Sequence, residues 1–247
     1  MLMQIEVPRW PTGDFEKMVL QRKPKVAVFD CDGTLWGGDA GCGFMVWSLE
    51  QGLVSRSTSD WIDTRYRGYL AGNVSEAQIC GEMVQIYAGL HEDELQVAAS
   101  RYVSQFVRSR VFAEMQRLVA ALREQGVELW AVSSTNKWVV TEGVRDFGIS
   151  PSRVLAAEVE VEHGVITTKL LDVPTDEGKA QALRRIGLPH PDAVFGNSIH
   201  DLAMLDLAEH AYPVNPSQAL LEAIAERGWS YFVPQEVENA DSAVSGE

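Results

Sequence analysis

The sequence predicts an α/β protein whose parallel sheet is covered by helices on both faces and interrupted by a helical insert. Short apolar runs that end in polar loops indicate buried strands. Helical patterns separate these runs, and strands that alternate with helices are typical of a parallel sheet. One long stretch, residues 43–110, has no convincing strand pattern and indicates the insert.

The predicted core contains four buried strands and a hairpin. The strands are residues 25–30, 127–132, 193–195 and 210–214. The helical patterns that follow them lie at residues 112–125, 137–147, 178–186, 201–207 and 217–227. Residues 156–172 instead alternate between apolar and polar side chains around a His163-Gly164 turn, which predicts a hairpin with one solvated face.

The inserted stretch predicts four helices, near residues 44–53, 59–70, 75–90 and 93–108. We therefore divide the chain into a core of residues 1–40 and 111–235, a helical cap of residues 41–110, and a frayed acidic tail of residues 236–247. The glycines of residues 37–43 and the segment near Arg110 are the expected hinges about which the cap opens and closes.

The composition excludes several classes of partner. Of the 247 residues, 21 are Lys or Arg and 35 are Asp or Glu, and the net charge of −14 argues against nucleic acid or an anionic membrane as a partner. No run reaches the ~18 apolar residues of a membrane span, and the first residues lack the pattern of a signal peptide. We therefore expect a cytoplasmic protein with three reduced thiols, Cys31, Cys42 and Cys80.

Polar side chains collect where the predicted strands end, which is the usual ligand site of an open α/β sheet. Asp30 and Asp32 follow the first strand, and at this spacing both carboxylates can face one crevice. The remaining candidates, after later strands or at a helix start, are Ser133, Ser134, Lys179, Asn197 and Asp201. The serines offer hydroxyl and backbone N–H groups that suit an anion.

In this order the residues resemble the four motifs of the haloacid dehalogenase-like phosphatases. The motifs are Asp30-Cys31-Asp32-Gly33-Thr34, Ser133, Lys179 and residues 196–201. The resemblance implies a Rossmann-like three-layer core, with the insert placed where the C1-type caps of the family are placed. Within the family, the chain is most similar to the phosphoserine phosphatase-like branch.

The resemblance also implies a reaction and a role for each motif. Asp30 is the nucleophile that becomes an aspartyl phosphate, and Asp32 protonates the leaving alcohol and later deprotonates water. Ser133 and Lys179 hold phosphate oxygens. The substrate is a small phosphate monoester, and the protein is a monomer or a homodimer.

The implied cofactor is Mg²⁺, and the chain departs from the family at one of its ligands. The ligands are Asp30, the backbone carbonyl of Asp32, and the fourth motif with Asn197 and Asp201. Asn197 stands where the family usually has Asp, so we expect weaker metal affinity and not loss of the reaction. Asp201 then acts either through water or by orienting Asn197. The ring of His200 is expected to be packed or solvent-facing.

A second departure concerns the substrate. Phosphoserine phosphatases grip the substrate carboxylate with a cap arginine, but residues 74–90 contain no Arg or Lys. Arg56, Arg65 or Arg67 replaces it only if the cap is rearranged. Asp39 falls near the glutamate that meets the substrate ammonium. Asp39 and the cap aromatics suit phosphoethanolamine or phosphocholine, unless those aromatics only hold the helices together: Trp47, Trp61, Tyr66, Tyr69 and Tyr87.

Three other readings use the same residues. A dehalogenase shares Asp30 and the fold but has no leaving oxygen for Asp32 to protonate. A phosphotransferase or mutase passes the phosphoryl group to a second alcohol, which the sequence does not distinguish from hydrolysis. A signalling receiver is phosphorylated on aspartate without being an enzyme, but receivers are shorter and have no helical insert.

Overall fold

The computed structural model describes residues 7–237 and contains one six-stranded sheet in the order β4-β3-β2-β1-β5-β6. The strands are β1 (Val26–Phe29), β2 (Glu128–Asn136), β3 (Val154–Glu162), β4 (Val165–Asp172), β5 (Ala193–Gly196) and β6 (His210–Pro213). Neighbouring strands are parallel except for β4, which pairs antiparallel with β3. The predicted hairpin therefore extends one edge of the sheet.

Helices cover the sheet and form the insert between β1 and β2. They are α1 (Thr12–Gln21), α2 (Ala40–Glu50), α3 (Arg56–Leu70), α4 (Glu76–Gln85), α5 (Glu92–Tyr102), α6 (Ala113–Glu124), α7 (Lys137–Gly143), α8 (Glu177–Arg185), α9 (Leu202–Leu205) and α10 (Gln218–Arg227). Helices α2 to α5 lie in the insert between β1 and β2, where the sequence predicts four helices. Among residues 7–237, no helix combines the length and apolarity needed to cross a membrane.

Alternation along the buried strands produces three layers. On β1, the side chain of Val28 packs in one apolar cluster, whereas Ala27 and Phe29 pack in the other. The first cluster includes Leu183 of α8 and Leu220 of α10. Because both faces are covered by apolar residues, the strands read as continuous hydrophobic runs, and the predicted α/β fold class is confirmed.

Two segments differ from the sequence predictions. Helix α1 is not predicted, yet its Phe15 stacks on Phe232 with ring centroids 4.3 Å apart. Glu236, assigned to a frayed tail, accepts a hydrogen bond from the backbone N–H of Ala113 at 3.1 Å. A tertiary contact therefore holds the described start of this segment, and residues 238–247 lie outside the described residues.

The cap rests on the hairpin as well as on its two chain connections. The N–H of Gly89 donates to the carbonyl of Ile166 at 2.8 Å, and the N–H of Ile166 donates to Leu90 at 3.0 Å. The N–H of Glu92 donates to Gly164 at 2.9 Å. These bonds position the end of α4 and the start of α5 over the edge of the sheet, so that the cap closes a cavity above the strand ends.

Candidate active site

The carboxyl ends of β1, β2 and β5 and the start of α8 surround one cavity of about 220 Å³. Parallel strands end at the same edge of the sheet, and β1 lies between β2 and β5. The loops after these strands are therefore neighbours. The predicted residues that line the cavity are Asp30, Asp32, Ser133, Ser134, Lys179 and Asn197, together with Asp39, the N-cap residue of α2.

A buried triad of charges forms the floor of the site. The Nζ of Lys179 donates to Oδ1 of Asp30 at 2.7 Å and to Oδ1 of Asp201 at 2.5 Å. The three residues are only 5%, 2% and 0% exposed for Asp30, Lys179 and Asp201. Burial, and then the charge of Asp201, raise the pKa of Asp30 to about 7 against the opposing effect of Lys179. Burial opposes the charge of Lys179, but the two carboxylates outweigh it and raise its pKa.

The loop after β1 holds Asp30 by local contacts. Thr34 Oγ1 donates to Oδ2 of Asp30 at 3.0 Å. Gly33 has φ +76°, and a Cβ there would lie 1.9 Å from the side-chain nitrogen of Asn197. Glycine is therefore required both by the backbone conformation and by the close approach of Asn197.

Asp32 joins the core to the cap. Its Oδ1 accepts hydrogen bonds from Trp36 Nε1 at 2.6 Å and from the N–H of Ala40, the first residue of α2, at 2.8 Å. Its Oδ2 accepts from Thr135 Oγ1 at 2.6 Å. Burial raises the pKa of Asp32, although these donors oppose the shift. A carboxyl group with a raised pKa is suited to general acid catalysis.

Two serines at the end of β2 present hydroxyl groups to the cavity. Ser133 is 1% exposed, and its Oγ accepts from the N–H of Thr135 at 3.2 Å. The hydroxyl hydrogen of Ser133 remains available because that contact uses only an oxygen lone pair. Ser134 is half-buried at the same edge. The pair can donate hydrogen bonds to an anion that contacts Asp30.

Asp201 orients the loop after β5. Its Oδ2 accepts from the N–H groups of Asn197 at 2.8 Å and Ser198 at 2.9 Å, while Oδ1 accepts from Lys179. Asp201 is fully buried and does not line the cavity. Of the two roles considered for Asp201, this placement favours orientation of Asn197 over ligation through water.

The donor set at the floor suits a hard divalent cation. Asn197 faces the same cavity as Asp30, and its side-chain amide makes no hydrogen bond with residues 7–237. In that part of the chain, no group of three or more His, Cys, Asp or Glu side chains has the arrangement of a metal site. A cation here would therefore need the Asn197 amide oxygen and a backbone carbonyl beside Asp30, which are oxygen ligands that Mg²⁺ accepts.

Three of the cap candidates, Trp47, Trp61 and Arg56, do not line this cavity. Trp47 is 8% exposed and packs in the cap interior, with ring centroids 5.9 Å from Phe44 and 5.8 Å from Tyr102. Trp61 is 45% exposed on the surface of α3. Arg56 is exposed at the start of the same helix. Helix packing, and not ligand binding, accounts for Trp47.

Several residues that line the cap side of the cavity were not among the predicted site residues. They are Glu76, Cys80 and His200, whereas Tyr66 and Tyr69, two of the cap aromatics considered in the sequence, line the cavity as well. Glu76 is the first residue of α4, next to the N-cap Ser75. Helix α4 contains no Arg or Lys, and its acidic first residue is the feature of the sequence that points to this side of the cavity. His200 Nδ1 lies 2.7 Å from Oδ1 of Asp176, so the ring is neither simply packed nor free in solvent.

Sequence comparison establishes the family. The sequence model of the haloacid dehalogenase-like hydrolases matches residues 27–206, and the chain belongs to this family. A probable phosphatase of Mycobacterium tuberculosis is 27% identical over 219 residues, which cover 84% of this chain and 75% of the relative. A histidinol-phosphatase of Neisseria meningitidis is 23% identical over 215 residues, which cover 83% of this chain and 96% of the relative.

Solved structures share the fold. A protein of unknown function from Bordetella pertussis superimposes with a TM-score of 0.72 at 21% identity, covering 84% of this chain and 97% of that chain. A substrate-bound phosphoserine phosphatase has a TM-score of 0.57 at 14% identity, covering 85% and 92%. The predicted fold family is thereby confirmed.

Proposed function

We propose that the protein is a Mg²⁺-dependent phosphomonoesterase that acts on a small phosphorylated metabolite through an aspartyl-phosphate intermediate. The observation that carries this proposal is the placement of Asp30. Its carboxylate is held by Lys179 and Thr34 at the floor of a cavity that Asp32 also lines. A fixed carboxylate beside a second carboxyl group is the arrangement that nucleophilic attack with general acid catalysis requires.

The reaction divides into two displacements at phosphorus. In the first, an oxygen of Asp30 attacks phosphorus, the bond from phosphorus to the alcohol oxygen breaks, and Asp32 gives that oxygen its proton. In the second, Asp32 accepts a proton from water, whose oxygen attacks phosphorus and releases inorganic phosphate and the Asp30 carboxylate. The raised pKa of Asp32 favours the protonated form that the first displacement needs.

Charge repulsion is the main obstacle to the first displacement, because a carboxylate must approach a phosphate dianion. Lys179 places an ammonium group against Asp30, and Ser133 and Ser134 offer hydroxyl donors to the phosphate oxygens. Mg²⁺, when held by Asp30, the backbone carbonyl of Asp32 and the Asn197 amide oxygen, supplies further neutralisation of the phosphoryl oxygens.

The relatives and the cavity support a small phosphate ester as substrate. The Mycobacterium relative is named a probable phosphatase and the Neisseria relative a histidinol-phosphatase. A cavity of about 220 Å³ suits a small ligand, and the net charge of −14 disfavours nucleic acid.

The proposal is tested by measuring release of inorganic phosphate from p-nitrophenyl phosphate with and without Mg²⁺. We expect activity that chelation abolishes and Mg²⁺ restores. Asp30→Asn should lose at least about a thousandfold in kcat/KM. Asp60→Asn, an exposed change on α3, is the control. Full activity of Asp30→Asn would overturn the proposal. Transfer in place of hydrolysis would appear as a phosphorylated acceptor alcohol without release of phosphate.

A further inference from the structure

The cavity has an excess of negative charge beyond what the reaction at phosphorus uses. Its lining contains four acidic side chains and one ammonium group, and the latter belongs to Lys179, which already pairs with Asp30 and with Asp201. Asp30 and Asp32 serve the phosphoryl group. The other two, Asp39 before α2 and Glu76 of the cap, would repel a phosphate dianion unless a positive charge lay between them and the phosphate.

Glu76 is the less satisfied of these two carboxylates. Its Oε2 atom is buried and has no hydrogen-bond partner within residues 7–237. Its Oε1 accepts a weak contact from Cys80 Sγ at 3.5 Å. The Tyr69 hydroxyl also lies close to this carboxylate, and burial and then the interaction with Glu76 raise the pKa of Tyr69. A buried acceptor without a partner is costly, because the group has lost its hydrogen bonds to water. A ligand that donates a hydrogen bond to this atom would remove that cost.

His200 does not fill this role. Its Nε2 lies 3.8 Å from Oε2 of Glu76, which is beyond hydrogen-bond distance, while its Nδ1 contacts Asp176 at 2.7 Å. Glu76 is the first residue of α4, where the helix dipole favours a negative charge. Within residues 7–237, no backbone N–H of the helix donates to its Oε2 atom.

The other groups at this end of the cavity also favour a cation. The rings of Tyr66 and Tyr69 line the cavity beside Glu76, and aromatic faces attract ammonium and imidazolium groups. Asp39 accepts the N–H of Cys42 through Oδ1 at 2.8 Å. Desolvation, and then the charge of Asp32 with a smaller effect of Glu76, raise the pKa of Asp39 to about 6. A bound cation would offset this crowding of carboxylates.

We propose that Glu76, assisted by Asp39, binds a positively charged group on the leaving alcohol, so that the enzyme prefers phosphate monoesters of amino or imidazole alcohols. This inference rests on the proposed phosphatase function. A cap arginine would bind a carboxylate of the substrate. Glu76 would repel such a carboxylate and bind a positively charged group instead. Phosphoserine carries both charges on its leaving group and should therefore be a poorer substrate than phosphoethanolamine.

The test compares substrates that share a two-carbon leaving group and differ in charge. They are phosphoethanolamine, whose leaving group carries an ammonium group, ethyl phosphate, whose leaving group is uncharged, and phosphoglycolate, whose leaving group carries a carboxylate. We expect kcat/KM to fall in that order, with a ratio of about ten to one hundred between the first two, the range that a hydrogen bond to a charged group provides. Histidinol phosphate is added as a larger cationic substrate.

Glu76→Gln keeps the size of the side chain and removes its charge. We expect it to lower the ratio of phosphoethanolamine to ethyl phosphate about tenfold or more, mainly through KM. Glu82→Gln is the matched control, because Glu82 lies on the same helix with similar side-chain exposure, 18% against 16%, and pairs with Arg65 away from the cavity. In Glu82→Gln, the ratio of kcat/KM for phosphoethanolamine to kcat/KM for ethyl phosphate should match that of the unchanged enzyme. In Glu76→Lys, phosphoglycolate should become the better substrate.

Failure of this inference is distinguishable from failure of the proposed function. If p-nitrophenyl phosphate is hydrolysed with Mg²⁺ but ethyl phosphate is used as well as phosphoethanolamine, the phosphatase stands and the cation site is excluded. An unchanged ratio in Glu76→Gln also excludes it. If no ester is hydrolysed by the folded protein, the proposed function itself fails.

Discussion

The two ends of the cavity differ in how completely their charges are paired. At the strand ends, Lys179 lies between Asp30 and Asp201, and Asp32 accepts three hydrogen bonds. At the cap end, an oxygen of Glu76 is buried and has no hydrogen-bond partner among the described residues. The core end is therefore prearranged before any ligand arrives, as chemistry at phosphorus requires. The cap end is left incomplete, as a surface that selects a ligand would be.

The largest expected effect comes from removing the charge that holds the core end together. Lys179→Met leaves two buried carboxylates without their ammonium partner, so we expect loss of activity and a decrease of about 3–5 kcal/mol in the free energy of unfolding. Urea denaturation at pH 8 measures the decrease. Lys169→Met removes an exposed pair with Glu160 and should leave the free energy nearly unchanged. If the two substitutions lowered the free energy of unfolding equally, the claim that the buried charges of Lys179 matter more than an exposed ion pair would be wrong.

Asp30→Asn should have the opposite effect on stability. Because the pKa of Asp30 rises from 3.8 to about 7 on folding, the folded state binds more protons, and stability falls as pH increases between these values. Asparagine avoids this penalty. With Mg²⁺ chelated, the variant should be more stable at pH 8 by at most about 4 kcal/mol, and the difference should vanish near pH 4. Urea denaturation across this pH range, with Asp60→Asn as control, measures it. If the difference in stability between Asp30→Asn and the unchanged protein did not vary with pH, the raised pKa of Asp30 would be refuted.

The smallest expected effect concerns the proposed metal ligand. Asn197→Asp adds a carboxylate oxygen at the floor of the cavity, so the Mg²⁺ concentration for half-maximal activity should fall roughly tenfold, since ligand charge tunes the affinity for divalent cations. Asn73→Asp, an exposed change in the cap, should not alter it. Titrating the activity with Mg²⁺ measures this concentration. If it is the same in Asn197→Asp as in the unchanged enzyme, Asn197 is not a ligand of the metal.

How much the sequence predicts also differs between the two ends. The strand ends could be predicted because a buried parallel strand carries its own pattern, and the polar residue after it lies at a known edge of the sheet. Asp30, Ser133 and Asn197 meet at one cavity for this reason. Helix α1 was missed because its two buried residues, Phe15 and Val19, are too few to produce a clear period.

The cap side could not be predicted in the same way. The helices themselves follow from local patterns and N-caps, but the packing of one helix on another decides which face meets the cavity. Trp47 packs in the cap interior, while Glu76, which looks like an ordinary first residue of a helix, lines the same cavity as Asp30. His200 likewise depends on a contact with Asp176, which lies 24 residues away along the chain.

The most direct test of the central claim is to trap the phosphorylated enzyme. The protein is mixed with Mg²⁺ and excess p-nitrophenyl phosphate, quenched in acid and digested for mass spectrometry. The account predicts one added phosphoryl group on the peptide that contains Asp30, sensitive to hydroxylamine and absent from Asp30→Asn. Steady turnover with no phosphorylated peptide, or with the group on Ser133 or Ser134, would contradict it.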